Sequence, residues 1–445
     1  MAAYIRRLLK LFKSVVLFSV LLNIIACYAE TILLDDDIFQ ASSSQKGLNV
    51  GVAKPVRYLL YDVNPGEGFN LRRDVYMRIA NLVKTLCEKE EWILVLPPWG
   101  RMYHWKTPRL DQNRIPWSLF FNVESLNQHV PVMEFEEYLW HANREPEIEE
   151  IYTLQRYAEG WKNGKFEEKY DRRECIDRPP YIKKDGKFRG WFWGYNDVYG
   201  LNFTCLSVQG FASILAPMLW ENTTARSVLI TRAETVLHDR FGGKMYWQAR
   251  RSMRFSDSLI DIGDAIRKKY FHSTDEKDNT IMERNWQDQK PVIGSAKGGD
   301  YLAVHLRRQD FARNKRKEAP SIKNAASQIN EILQREGLKS VFLCTDAIKS
   351  EIDDLKSQVD GKVVHYRPPK DIMERFKDGG VAIIDQWVAA HAKYFIGTCV
   401  STFSFRIQEE RQIIGFDPKT TYNCFCGDPD LDTDCDQPSK WNIVY

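Results

Sequence analysis

The stretch from Val56 to Pro98 constrains the fold more than any other part of the chain. Val56 to Tyr61 is a short apolar run that reads as a buried strand, and it ends in the loop Asn64-Pro65-Gly66-Glu67-Gly68-Phe69-Asn70. Leu71, Val75, Ile79, Leu82, Val83 and Leu86 then recur at the spacing of one helix face. A second apolar run, Trp92 to Leu96, is closed by Pro97-Pro98. Strand, helix and strand in about forty residues make the βαβ unit of a parallel sheet.

The same alternation returns late in the chain. Tyr301–Leu306, Val341–Cys344, Val363–Tyr366 and Tyr394–Ile396 read as strands, with a helix from about Val381 to Ala392 and another starting near Ser401. The polar stretch Ser273–Asn279 and the Gly/Ser/Lys-rich stretch Gly294–Asp300 are expected to bracket a linker. The region from Trp105 to Tyr270, rich in aromatic and charged residues, yields no confident division. A chain of 445 residues with 44% hydrophobic content accommodates two cores of this kind. The expectation is an α/β fold of two Rossmann-like domains, 30–285 and 286–445, facing across a cleft. Ligands in such folds bind beyond the carboxyl ends of the strands.

Charge narrows the partners. The 63 basic and 60 acidic residues leave a net charge of +3, too small a global field to predict a nucleic-acid partner. Arg313, Lys315, Arg316 and Lys317 read as a solvated loop. At the N-terminus Arg6, Arg7, Lys10 and Lys13 precede the apolar run Val15–Ala26, then Cys27-Tyr28-Ala29. That order predicts a signal peptide over 1–29, too short in its apolar run for a membrane span. A lumenal protein with no later span is expected, and its oxidising compartment lets cysteines pair. Count alone does not fix the pairing among the nine cysteines; Cys175 with Cys205 and Cys426 with Cys435 are candidates. Asn202 and Asn222 open two glycosylation sequons.

Three strand ends carry candidate chemistry. Glu67, flanked by Gly66 and Gly68, is either an accessible general base or a favourable charge at the start of the next helix. Arg307, in Val304-His305-Leu306-Arg307-Arg308-Gln309-Asp310, offers a planar fork to a departing diphosphate, or else pairs with Asp310. Gly397-Thr398-Cys399-Val400-Ser401-Thr402-Phe403 is either a phosphate-binding helix start or one capped by its own Ser401 or Thr402. Asp385, on an apolar helix, suits a ribose or base, or a buried basic partner. Asp35-Asp36-Asp37 lies too close to the mature N-terminus to act as a transferase metal site and reads as a solvated leader. Trp99, Tyr103, His104 and Trp105 form part of an acceptor surface or belong to the core; they are left out of the predicted site.

Taken in order, the loop Asn64–Asn70 with Leu-Arg-Arg-Asp-Val-Tyr after it, Pro97-Pro98-Trp99-Gly100-Arg101, Val304–Phe311, Ile383-Ile384-Asp385-Gln386-Trp387 and Gly397–Ile407 resemble the GDP-fucose protein O-fucosyltransferases. The likeness runs from about Arg57 to the C-terminus. It implies a GT-B fold and an inverting enzyme of the endoplasmic reticulum lumen. That enzyme moves fucose from GDP-fucose to serine or threonine of folded thrombospondin type 1 repeats, with no metal or other cofactor. It further implies Glu67 as catalytic base, Arg307 at the leaving group, and donor contacts from Gly66, Glu67, Gly68, Phe69, Asn70, His305, Leu306, Arg307, Asp385, Thr402 and Phe403. The pairs Cys175–Cys205 and Cys426–Cys435 are implied as the family's disulfides. Cys399 stands where a small non-thiol residue is expected, and Cys424 is an extra thiol competing for Cys435. A catalytically silent lumenal lectin or chaperone on the same fold is the competing reading, which an intact Glu67 disfavours. A fucosyltransferase acting on glycans or on epidermal growth factor-like repeats is the other.

Overall fold

The computed structural model describes residues 55–100, 102–141, 146–160, 166–314, 319–429, 435 and 437–445, without the side chains of 312–314. The expected signal peptide, the acidic leader, Arg101 and Lys315 to Lys317 lie outside the described residues.

The first sheet is built from β1 (Arg57–Tyr61), β2 (Trp92–Leu96), β3 (Val132–Glu134), β4 (Glu147–Gln155), β5 (Lys169–Arg172), β6 (Ile182–Lys184), β7 (Lys187–Arg189), β8 (Tyr199–Gln209) and β9 (Ser227–Thr231). Their order is β3-β2-β1-β9-β4-β8-β7-β6, with β5 added on β8. β1 pairs in parallel with β2 (Leu59 opposite Leu94) and with β9 (Leu59 opposite Val228). The continuous apolar sequence of β1 follows, because a parallel strand is covered on both faces. The undivided middle of the chain supplies β4, β8 and β9, the antiparallel extension β5–β7, and a disulfide from Cys175 to Cys205 on β8.

Helix α1 (Phe69–Leu86) buries Val75, Ile79, Leu82, Val83 and Leu86 as its spacing predicts, while Leu71 stays half-buried. It also buries Arg73, Asp74 and Asn81, because a second face is covered as well. There it meets α2 (Lys244–Ser252) and the later half of the chain. Helix α3 (Asp257–Phe271) follows; its Arg267 is buried and reaches Ser273, Asp275 and Asp278. The polar stretch expected to open a linker is thus anchored at two points, with Ser273 and Asp278 buried while Glu276, Lys277 and Asn279 are exposed.

The second sheet is parallel throughout: β10 (Gly299–Leu306), β11 (Ser340–Thr345), β12 (Lys362–Val364), β13 (Ala392–Gly397) and β14 (Asn423–Cys424), in the order β12-β11-β10-β13-β14. Helices α4 (Ile322–Glu336), α5 (Lys370–Ala390) and α6 (Thr402–Ile414) complete this half. Helix α5 extends well before the expected Val381 start and breaks at Lys377, whose φ is 59°. In both sheets the strand order reverses beside a central strand, β1 in the first and β10 in the second. The crevice at such a switch point is where open α/β sheets take ligands.

Two cysteines depart from expectation in a way that resolves itself. Cys399 and Cys424 are bonded to each other, so Cys424 does not compete for Cys435, which is bonded to Cys426.

Candidate active site

The loop after β1 is held through its backbone. Glu67 N donates to Asn64 O (2.9 Å), Arg72 Nε to Glu67 O (3.2 Å), and Asn64 N to the Glu234 carboxylate (3.2 Å). Glu234 is pushed above the usual carboxylate range by burial, and the charges of Glu67 and Asp62 add to the effect. The Glu67 carboxylate itself makes no hydrogen bond or ion pair with the described residues. It does not cap α1: the N-cap is Gly68, with no side-chain cap bond. Glu67 therefore makes no capping bond to α1, and a half-buried, unengaged carboxylate remains at the strand end, next to the helix start.

Two predicted donor residues place their side chains elsewhere. The Phe69 ring is buried against Trp99, Trp105 and Phe120 at 4.9–5.6 Å and so fixes the loop to the core. Leu306 is buried in the core of the second sheet, while its carbonyl accepts from Thr345 Oγ1 (2.6 Å). Only the backbones of these two positions are available to a ligand. Asn70 turns toward the second half, where its Oδ1 accepts from Gln386 Nε2 (2.8 Å).

Opposite this loop, the ends of β10 and β13 lie side by side, His305 pairing with Gly397. Arg307 N donates to Thr398 Oγ1 (2.9 Å), and its guanidinium bonds Asp310 (2.8 Å) and Asp346 (2.9 Å). The ion pair weighed from sequence is real, and a second carboxylate shares it. His305 is buried, stacks on Phe403 (4.4 Å between rings) and bonds Ser404 Oγ through Nδ1 (2.8 Å). Ser404 Oγ donates its one proton to Thr398 O (2.9 Å), so His305 must donate from Nδ1, leaving Nε2 as an acceptor. Burial, then the charge of Arg307, lowers the His305 pKa to about 3, so the ring is neutral. Ser401 precedes α6 in extended backbone without a side-chain cap bond, which removes the self-capping alternative. The first amides of α6 stay open, the usual anion site at a helix start.

Asp385 on α5 is the clearest vacancy for a polar ligand group. Its Oδ1 is buried with no hydrogen-bond partner among the described residues, and burial raises its pKa to about 8. Among the described residues no basic side chain pairs with it, as its alternative required. It lies beside β11, where Cys344 Sγ donates to its carbonyl (3.6 Å).

The two halves meet at His104. A Cβ on Gly68 would stand 3.1 Å from its ring, and its Nδ1 lies 3.4 Å from Arg307 Nη2. The Glu67 loop and Arg307 are thus separated by the width of one imidazole. His104, Asp346, Glu234 and Gln386 were all missed as site residues. Two of them had a signal: His104 in the aromatic cluster after β2, and Gln386 beside Asp385 in the block Ile383–Trp387.

Two Rossmann-like halves, with an unengaged carboxylate at one strand end and an arginine at another, joined through His104, define a glycosyltransferase of GT-B fold. The architecture matches that of POFUT1 in complex with GDP (TM-score 0.51, 17% identity, covering 84% of this chain and 98% of that one). The family model described as GDP-fucose protein O-fucosyltransferase matches residues 58–414, and the chain belongs to that family. Human GDP-fucose protein O-fucosyltransferase 2 is 53% identical over 92% of this chain and 94% of its own length. The Caenorhabditis elegans protein of the same name is 44% identical over 94% of this chain and 97% of its own.

Proposed function

We propose that this chain transfers fucose from GDP-fucose to a serine or threonine hydroxyl of folded thrombospondin type 1 repeats in the endoplasmic reticulum lumen, inverting the anomeric carbon and using no metal. The unengaged Glu67 carboxylate, on the loop that His104 joins to Arg307, carries this reading. Glu67 takes the proton of the acceptor hydroxyl as that oxygen attacks C1 of fucose, in line with departing GDP. Arg307 and the open first turn of α6 supply positive potential where the diphosphate gains charge. The unpaired Asp385 carboxylate receives the N–H edge of the guanine, and His305 offers Nε2 as an acceptor to a sugar hydroxyl. Names of the relatives that cover nearly the whole chain support the donor and the protein acceptor.

The acceptor class is tested by incubating the purified protein with GDP-fucose and folded thrombospondin type 1 repeats, folded epidermal growth factor-like repeats, or free glycans. Fucose is expected on the first alone. Transfer only to either of the others, or to none, overturns the reading.

A further inference from the structure

One side chain at the centre of the site has no part in this mechanism. His104 lies in the segment from Met102 to Thr107, which crosses from the first half to the second, with Met102 buried before His104 and two further anchors after it. Trp105 packs on Phe69 and against Gly379, where any Cβ would come within 2.6 Å of the indole. Thr107 donates from its backbone N (3.1 Å) and its hydroxyl (2.5 Å) to Asp378 at the break in α5. With the segment held at Met102, Trp105 and Thr107, the imidazole lies between Gly68 and Arg307. A glycine at 68 is what lets it come so close, since a Cβ there would crowd its Cδ2 at 3.1 Å.

The tautomer follows from its neighbour. Arginine can only donate, so Nδ1, facing Arg307 Nη2, accepts, and the neutral ring carries its hydrogen on Nε2. Partial enclosure and then the charge of Arg307 hold its pKa below the ordinary histidine value. Lys106 lowers it further, while Asp310 and Asp346 act the other way.

We propose that His104 is a further donor-site residue: with Nδ1 turned to Arg307, its ring presents the Nε2–H, on the Gly68 side, to the β-phosphate of GDP-fucose and holds that group as it leaves. This rests on the donor reading given above. Arg307 alone, shared with Asp310 and Asp346, has much of its charge already engaged, and a second donor on the other rim completes the grip on the diphosphate.

GDP and GMP differ by the β-phosphate alone, so calorimetry on the full chain with both nucleotides isolates the contact. In H104A, GDP binding should weaken by roughly 10- to 100-fold, the loss of one hydrogen bond to a charged group, with GMP affinity unchanged within about twofold. H104Q, which keeps an N–H, should recover most of the GDP affinity. H104F preserves a ring of similar size without an N–H; it should behave as H104A and serves if the alanine variant folds poorly. Turnover should fall at least as far as GDP affinity, because charge grows on the leaving group. Equal weakening of GDP and GMP, or unchanged GDP binding, overturns the role of His104 alone. A wild-type chain that binds neither nucleotide overturns the donor site itself.

Discussion

Arg73 Nη1, on α1 of the first half, donates to Gln386 Oε1, on α5 of the second, at 2.7 Å and fully buried. The same Gln386 amide donates to Asn70, so one side chain ties the start of α1 to the far half just behind the Glu67 loop. Among the described residues Arg73 has no other oxygen partner but Asn70, at 3.3 Å, and its Nη2 is already unpaired. Burial, with Arg250 and Arg406 adding like charge, pulls its pKa well down. Gln386→Leu should therefore cost about 2–4 kcal/mol, since it strands a buried cation. The check is urea unfolding; a loss under about 0.5 kcal/mol would contradict the role given to this contact.

Arg307 is predicted to matter for both binding and turnover. Arg307→Ala removes the fork and leaves Asp310 and Asp346 facing the phosphates, so GDP affinity should drop by roughly 10- to 100-fold. Lysine at this position keeps the charge but cannot bridge two oxygens, and should recover only part. Calorimetric GDP binding equal to wild type in the alanine variant would remove Arg307 from the donor site.

Asp385 sets a pH dependence whose sign follows from its pKa, raised to about 8 by burial. An unfolded aspartate titrates near 4, so the protonated form is favoured by folding, and the unliganded protein loses stability as pH rises from about 4 to about 8. Asp385→Asn should remove that loss and raise the thermal midpoint at neutral pH. The guanine edge needs the ionised form, so GDP affinity should climb by up to about tenfold per pH unit toward 8 and level off above it. The asparagine variant should show no such slope. A wild-type affinity that is flat from about pH 6.5 to 8.5, or that falls, contradicts this account.

The disulfide between Cys399 and Cys424 closes a separation of 25 residues and sits next to Val400, which has φ 54°. A β-branched residue in that left-handed region is strained by roughly 1–3 kcal/mol and persists only where its surroundings hold it. Replacing both cysteines by serine should lower stability by about 3 kcal/mol and let the loop before α6 relax, weakening GDP several-fold. Adding Val400→Gly, which tolerates positive φ, should restore GDP affinity without restoring the full thermal midpoint. If GDP affinity stays at the wild-type value in the double serine variant, the bond does not position the loop.

How far the sequence carried depended on the kind of interaction. β1, α1, β2 and the strands β10, β11 and β13 were legible because apolar periodicity reports burial directly. The antiparallel strands β5–β7 were not, since short strands with exposed polar faces, such as Ile182–Lys184, carry no such pattern. β14 is only two residues long. Ranges apart, α1 shows a subtler limit: a single apolar stripe was visible, but the buried polar face of Arg73 and Asp74 is meaningful only once Gln386 and Arg406 stand opposite. In the site, Glu67, Arg307 and Asp385 were singled out on local chemistry. Choosing between capping or ion pairing and function needed distances, and those at Arg307 do show the ion pair with Asp310. His104 went unchosen because an aromatic cluster after a strand reads as core, which is true of its neighbours Trp99 and Trp105.

The central claim is that Glu67 is the base. Glu67→Gln keeps size and hydrogen-bonding capacity but cannot take a proton, so the most direct measurement is single-turnover fucose transfer from GDP-fucose to a folded thrombospondin type 1 repeat by that variant, beside calorimetric GDP binding. The predicted result is a rate lower by roughly 10²- to 10⁴-fold with GDP affinity within about threefold of wild type. A rate within a few-fold of wild type would contradict the account.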